Sequence, residues 1–529
     1  MIRRPPRSTL SPSSAASDVY KRQIITLLYL ISITPIVVTL LITLSPVLEA
    51  MEHVSQAERE MPYFTALLTI FASAGLPPHV ALERIEEKVS LFPAISRIAK
   101  RIKKLKLLFI MDDIGAIETE GRRFPSPLVS DVLLSLAAAE RGGGDIYAIF
   151  RDKMKSAFTY LKEKYKSLAD QMKMIGDVIL VFYGILPLTL YVMFALFASE
   201  NVVIQSYMYS LIANPLMAGV LVLIIDQIYP KTLVKYTEYY KRLLFYIPLG
   251  AVVFAALYFP TMYLEELLST MKYYRKAIAL GAAIIAVLIS EAIRYVIESR
   301  RLMSITLALP SFTRDLTEEI KEGQTPSLAI GRLIKLRTYG KHLDKILRRI
   351  NLAINSGHTF KEAVELIMNE LPWHAKLTFT LLIEADIIGA KPEIFEEITN
   401  VTREVVDSIN IARKGTVPIR LFGLATAGLI VATTTLLVRW VLIPIAKMAP
   451  SLQAGGGLGI NIGFKLITEN ELPGMIDSVL IGCVITSFFL GLLTGKMSEG
   501  NLASGFIYAV FTVLLSIVIT IIMFAGVVI

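Results

Sequence analysis

The chain has 529 residues, of which 54% are hydrophobic, with a formal net charge of +9 and one cysteine. Its mean hydropathy of +0.59 is too high for an ordinary soluble protein, and its length is too great for one compact domain. A lone cysteine excludes an intramolecular disulfide and any paired-cysteine metal or redox site. A pI near 9.2 in so apolar a chain points to Lys/Arg-rich cytoplasmic loops rather than to nucleic-acid binding.

From the N-terminus, residues 1–23 ("MIRRPPRSTLSPSSAASDVYKRQ") carry no apolar period and no signal-peptide core. They resemble translated sequencing adapter and are set aside as a non-native tail. Residues 24–46 form an apolar run long enough to cross a bilayer as a helix, which takes about 18 residues or more. Next comes a polar stretch, 51–172. The region 174–297 then holds four runs, at 174–199, 203–228, 243–264 and 276–297. A second polar stretch covers 298–418, and 419–527 holds three more runs, at 419–446, 475–495 and 503–527. The expectation is an all-α, polytopic membrane protein with eight spans and two helical-bundle domains; no run has the alternation of a barrel strand.

Lysine and arginine set the orientation. Both polar stretches are basic, and four spans separate them, so both fall on one side, the cytoplasm. The segment after the sixth span, 449–474, holds a single lysine, Lys465, and is expected outside. The exception is "MKYYRK" at 271–276, which places positive charge on the outer side.

The two polar stretches repeat one another. "MPYFTALLTIFASAGLPPHVALERI" from Met61 and "LPSFTRDLTEEIKEGQTPSLAIGRL" from Leu309 share nine identities at constant offset, where composition would give about one or two. Pro62/Pro310, Phe64/Phe312, Gly75/Gly323, Pro78/Pro326 and Arg84/Arg332 are among them. The pattern is helix punctuation. Pro310 suits a first helical turn, Gly323 the left-handed position past the helix end, Thr325 the cap and Pro326 the opening of the next helix. Pro62, Gly75 and Pro78 take the same places, with Pro77 at the cap. Towards the end of each copy an acid precedes a glycine, Glu140 before Gly143 and Asp386 before Gly389, as at a helix terminus and turn. These residues define the domain and form no catalytic site.

A second feature recurs. Arg97, Lys100, Arg101 and Lys104 are spaced to share one helix face, with Ile98, Ile102 and Leu105 behind. In the second copy Lys341, Lys345, Arg348 and Arg349 lie opposite Ile346 and Ile350. A basic face kept in two diverged copies points to an anionic partner, either lipid headgroups or an acidic protein.

Catalytic machinery is not expected. "GLLTGKM" at 491–497 has the wrong glycine spacing for a nucleotide loop, and "GGGLGINIG" at 455–463 has no strand before it. The five histidines form no HxxxH or HExxH pair, and no GxSxG occurs. Within the spans, Asp177, Asp226 and Asp477 lie near ends that reach water, and Glu291 and Arg294 are spaced to pair with each other.

Together the duplicated hairpin, the acid-then-glycine turn and the span layout resemble the type II secretion system F domain family. Its members are the polytopic platform proteins of type II secretion, type IV pili, Tad pili and the archaellum. The acid-glycine turn departs from the family's usual Gly-Glu form: Ala139-Glu140 and Ala385-Asp386 stand there. Two domains with many spans look like the archaeal members. The resemblance implies a non-enzymatic, multi-pass platform in the cell membrane, without cofactor. Its implied partners are a hexameric secretion ATPase, pilin or archaellin subunits, membrane lipids and a second copy of itself. The alternative is a secondary transporter or channel, which would line a midplane site with polar groups from broken helices; the spans are expected to lack such a polar stripe.

Overall fold

The computed structural model describes residues 51–142, 144–197, 201–229, 237–259, 274–454 and 466–524, with scattered positions from 39 to 50. Two units divide the chain after Ala57. The tail 1–23 lies outside the described residues, as do nearly all of the expected span 24–46 and the whole of 455–463. In the unit from Glu58 onwards, the regular elements among the described residues are all helical.

The first domain begins with a helix over residues 58–73 (α1). Its end is set by Gly75 at φ +70, where Leu76 N–H donates to the Phe71 carbonyl at 3.0 Å, a closure that needs the left-handed conformation glycine adopts freely. Then come α2 (Pro78–Glu87), α3 (Pro93–Phe109), α4 (Asp113–Arg123), α5 (Pro127–Gly142) and α6, which runs from Ile146 to Leu196. Two helices, α7 (Val202–Ile228) and α8 (Thr237–Tyr258), lead to α9 (Arg275–Lys321).

The second domain repeats the order. α9 ends at Gly323, φ +89, with Gln324 N–H bonded to the Glu319 carbonyl at 3.1 Å. Next are α10 (Pro326–Leu336), α11 (Lys341–Asn355), the short α12 (Phe360–Glu365), α13 (Trp373–Ile387) and α14 (Pro392–Met448). α15 (Leu472–Glu499) and α16 (Gly505–Phe524) are the last described helices. Position for position, α1–α6 and α9–α14 are one six-helix pattern used twice.

Among the described residues seven helices are long and apolar enough to cross a membrane, and they coincide with the last seven expected spans. Three of them, α6, α9 and α14, are single helices of 51, 47 and 57 residues shared between a domain and the spans. No structural boundary therefore lies at 172/174, 297/298 or 418/419. For the same reason Pro310 is not in a first turn: it sits inside α9, and Pro62 is likewise flanked by helix on both sides. The change from apolar to polar composition marks the membrane surface, and the backbone hydrogen bonds run on through it. Pro78 and Pro326 do open their helices, but Thr325 occupies its cap position without a side-chain cap bond.

In the spans, α15 packs against α16, α14 and α7. Its contact with α16 requires glycine: a Cβ on Gly491 would stand 2.3 Å from Ala509 Cα. Towards α7 the contact is polar. Ser206 and Ser478 hydroxyls lie 2.7 Å apart, Ser210 donates to the Ser478 carbonyl at 3.1 Å, and Asn214 Nδ2 donates to Thr486 Oγ1 at 2.7 Å. This seam corrects the expectation that the spans lack a polar stripe. Its groups bond across the helix pair, as interhelical polar contacts in lipid do.

The charges at the span ends are also matched. Asp226 pairs with Lys496 and Asp477 with Lys276, while Arg275 lies 5.7 Å over the Tyr258 ring. Lys276 and Arg275 belong to the basic segment that ran against the orientation rule, so at these two positions the cation is partnered. Asp177 is exposed. Glu291 and Arg294 form the expected ion pair, though without a hydrogen bond. Their nearest atoms are 3.9 Å apart, and neither Glu291 oxygen has a hydrogen-bond partner among the described residues.

Candidate functional site

The basic faces sit on α3 and α11. α3 starts at Phe92, which cannot cap a helix with its side chain. Glu60, fully buried on α1, replaces the cap: its carboxylate accepts the Ala94 and Ile95 N–H groups at 3.0 and 2.8 Å, two of the donors a helix start leaves open. Burial raises the Glu60 pKa to about 7 against the opposing pull of those two amides. Ile98 and Ile102 turn into the domain, so Arg97, Lys100, Arg101 and Lys104 all emerge on the exposed face, as the spacing predicted; Leu105 is half-buried.

The charges on this face are unequally engaged. Arg101 reaches Glu120 at 3.5 Å, Lys103 pairs with Glu86 at 3.1 Å and Lys106 with Asp113 at 2.7 Å. Lys100 and Lys104 have no acidic partner among the described residues. α3 then ends in Leu107, Leu108, Phe109 and Ile110, at least 68% exposed each. Ile110 has φ 51, the one positive φ at a non-glycine among the described residues, a conformation costly for a β-branched side chain.

The second face differs. Lys345 and Arg348 are exposed, but Arg349 pairs with Glu370 at 2.5 Å, and Glu370 also lies 3.8 Å from Arg301. Arg301 follows the α9 span by a few residues, which draws the α11 face towards the membrane end of its domain. α3 runs the other way. Its last turn is tied to Asp113 at the start of α4, and neighbouring Ile114 lines a cavity of about 390 Å3 with Gly75, His79, Glu140 and Ile146. Ile146 is the first residue of α6, about 40 Å along that helix from the apolar run at 174. The apolar tip of α3 therefore belongs to the membrane-distal end. α3 and α11 do not pack extensively on one another.

Among the domain-defining residues, Phe64 and Phe312 are fully buried. Glu140 accepts His79 N–H at 2.6 Å and contacts its Nδ1 at 2.9 Å, so it caps α2 from a distance where Pro77 cannot. Its counterpart Asp386 makes no such bond, and burial alone raises its pKa. Gly389 has φ +63 as the turn requires; Gly143 lies outside the described residues, and neighbouring Gly144 carries φ +101.

Arg84 and Arg332 share a position but not a role. Arg332 holds Glu319 of its own domain at 3.0 Å, whereas Arg84, with Lys88, holds Glu384 of the other domain. Glu384 is 2% exposed. Beside it the domains meet again: Tyr63 hydroxyl to His374 Nδ1 at 2.8 Å, Trp373 Nε1 donating to the Leu91 carbonyl at 3.0 Å, and Arg151 with Glu397 at 2.6 Å. Burial pushes the His374 pKa down to about 4. None of Glu60, Glu384 and His374 stood out in the sequence. Only the lack of a polar residue before Pro93 hinted that α3 takes its cap from elsewhere.

No cluster of His, Cys, Asp or Glu able to hold a metal occurs among the described residues. A scan against protein-family models, a search of curated proteins and a search of solved structures return no match to this chain.

Proposed function

We propose that the protein is a non-enzymatic membrane platform of the type II secretion F-domain kind, with both helical domains in the cytoplasm. On this reading a hexameric secretion ATPase acts on the domains, and the spans guide pilin- or archaellin-like subunits into or out of the membrane. One observation carries the reading: a single six-helix pattern is used twice, and each copy is joined to the spans by unbroken helices. A partner that moves the domains moves the spans with them, with no chemistry required of this chain. The polar seam of α7 and α15 is the feature a transporter would share, but its serine hydroxyls and the Asn214 amide nitrogen bond across the helix pair, and Asn214 Oδ1 is left buried without a partner among the described residues.

Docking falls to the α3 face, which offers unpaired Lys100 and Lys104 beside an apolar tip remote from the membrane. The α11 face, close to Arg301, suits lipid headgroups. The experiment is co-purification of the detergent-solubilised protein with the secretion ATPase at two salt concentrations. Lys100→Glu/Arg101→Glu should weaken binding, most clearly at low salt, where the Debye length is about 10 Å or more. Arg348→Glu/Arg349→Glu should weaken it less. Salt-insensitive binding unchanged by either pair would refute the docking assignment.

A further inference from the structure

α8 and α9 form an antiparallel pair at the edge of the spans. Between the first turns of α8 and residues 290–298 of α9 lies a groove of about 610 Å3. Two arginines line it, Arg242 from α8 and Arg294 from α9, and two glutamates, Glu238 and Glu298. We propose that this groove is a lipid site for a phospholipid whose headgroup carries both a phosphodiester and a primary ammonium.

Its depth is the first argument. Arg294 lies three residues before the expected end of the span at 297, where headgroups meet water. The second is loosely held charge. Elsewhere the cations at span ends are held closely, Lys496 by Asp226 and Lys276 by Asp477. Arg294 is half-exposed, and its ion pair with Glu291 is long, 3.9 Å, and carries no hydrogen bond, so its guanidinium donors stay open to the groove. Guanidinium presents a planar fork of donors that matches a phosphate. The third is charge balance. Glu238 engages Arg242 through one oxygen at 3.2 Å, and Glu298 engages Arg301 through one oxygen at 3.5 Å. Each keeps a second oxygen, so the groove offers two anionic groups beside two cationic ones. A purely anionic headgroup would meet both glutamates; a zwitterionic one satisfies both signs. The fourth is the wall. Ile289, Ile293 and Ile297, four residues apart, are 42%, 50% and 64% exposed, and the last two line the groove. This apolar stripe on one face of α9 gives an acyl chain a track that free phosphate cannot use.

The test is native mass spectrometry of the delipidated, detergent-solubilised full chain, supplied in turn with phosphatidylethanolamine, phosphatidylglycerol and inorganic phosphate. The wild type should retain phosphatidylethanolamine about tenfold better than phosphatidylglycerol, the effect of about one charge-assisted hydrogen bond. Arg242→Gln/Arg294→Gln should abolish that retention. Glu238→Gln/Glu298→Gln should invert the preference towards phosphatidylglycerol, and it decides the matter alone should the arginine variant fail to fold. Equal retention of the two lipids by the wild type, or a preference untouched by the glutamate substitutions, overturns the proposal. Inorganic phosphate binding that displaces neither lipid but is lost with the arginines would make this a soluble-anion site and overturn the lipid assignment.

Discussion

Glu60 and His374 are both buried within the domains, and burial penalises the charged form of each. Glu60 has its pKa raised from 4.5 to about 7, and His374 has it lowered from 6.5 to about 4. The signs oppose. For Glu60 the folded state holds a proton that the unfolded chain has released, so its contribution is full below pH 4.5 and is lost as pH rises towards 7. For His374 the unfolded chain holds the extra proton, so its contribution is full above pH 6.5 and is lost as pH falls towards 4. Each shift corresponds to about 3 kcal/mol, and between pH 4.5 and 6.5 the two largely cancel. Glu60→Gln keeps an acceptor for the α3 amides but removes the titration. Relative to the wild type, the melting temperature of this variant in detergent should therefore climb with pH across that window. For a unit of the size of the two domains the difference should be roughly 5–10 °C. His374→Gln should tilt the difference the opposite way. A Glu60→Gln profile parallel to the wild type at every pH would show that the carboxyl does not titrate where its burial places it.

Glu384→Ala removes the acid that Arg84 and Lys88 of the other domain share. It should loosen the domain contact by about 2–4 kcal/mol, seen as faster hydrogen exchange in α13 and in residues 84–91 together; exchange confined to α13 would deny the coupling. Gly491→Val places side-chain atoms where the Ala509 backbone already stands and should cost about 1–3 kcal/mol or more, lowering the melting temperature; an unchanged melt would contradict the close approach of α15 and α16. In a Cys483→Ala background, an impermeant maleimide on intact cells should label Ser451→Cys but not Ser356→Cys. The reverse pattern would invert the orientation.

The parts of this fold that were legible in the sequence are local. Gly75 and Gly323 announce their turns because left-handed backbone restricts the residue type, and Pro78 and Pro326 mark helix starts because proline has no N–H to lose there. The last seven spans were legible because lipid demands long apolar runs. Two things misled. The switch in composition near 297 looked like a helix end, although hydrogen bonding through α9 takes no account of which solvent surrounds it. Ser206, Ser210 and Asn214 are four apart and could have been noticed, but polar residues scattered among so many apolar ones carry little weight until the facing Ser478 and Thr486 are known. The junction of the domains was illegible for a different reason. Arg84 and Glu384 are 300 residues apart, Tyr63 and His374 are 311 apart, and nothing local in either segment records the partner. For the basic faces, spacing gave exposure correctly, but not that Arg349 is already held by Glu370.

α14 is 57 residues long, a rod of about 85 Å. From the middle of its apolar stretch to its start at Pro392 is about 60 Å, so a swing of about 5° about that middle carries the start sideways by about 5 Å, close to the pitch of an α-helix. α6 and α9 are built alike, so three such levers are fastened to one pair of domains. Stiffness along them is uneven: Pro187 in α6, Pro310 in α9, and Pro418 and Pro444 in α14 each interrupt the backbone ladder, and flexure should concentrate at those points. Pro418 adjoins the membrane surface and Pro310 lies within the second domain, so a displacement of that domain would tilt α14 as a boom and bend α9 as a spring.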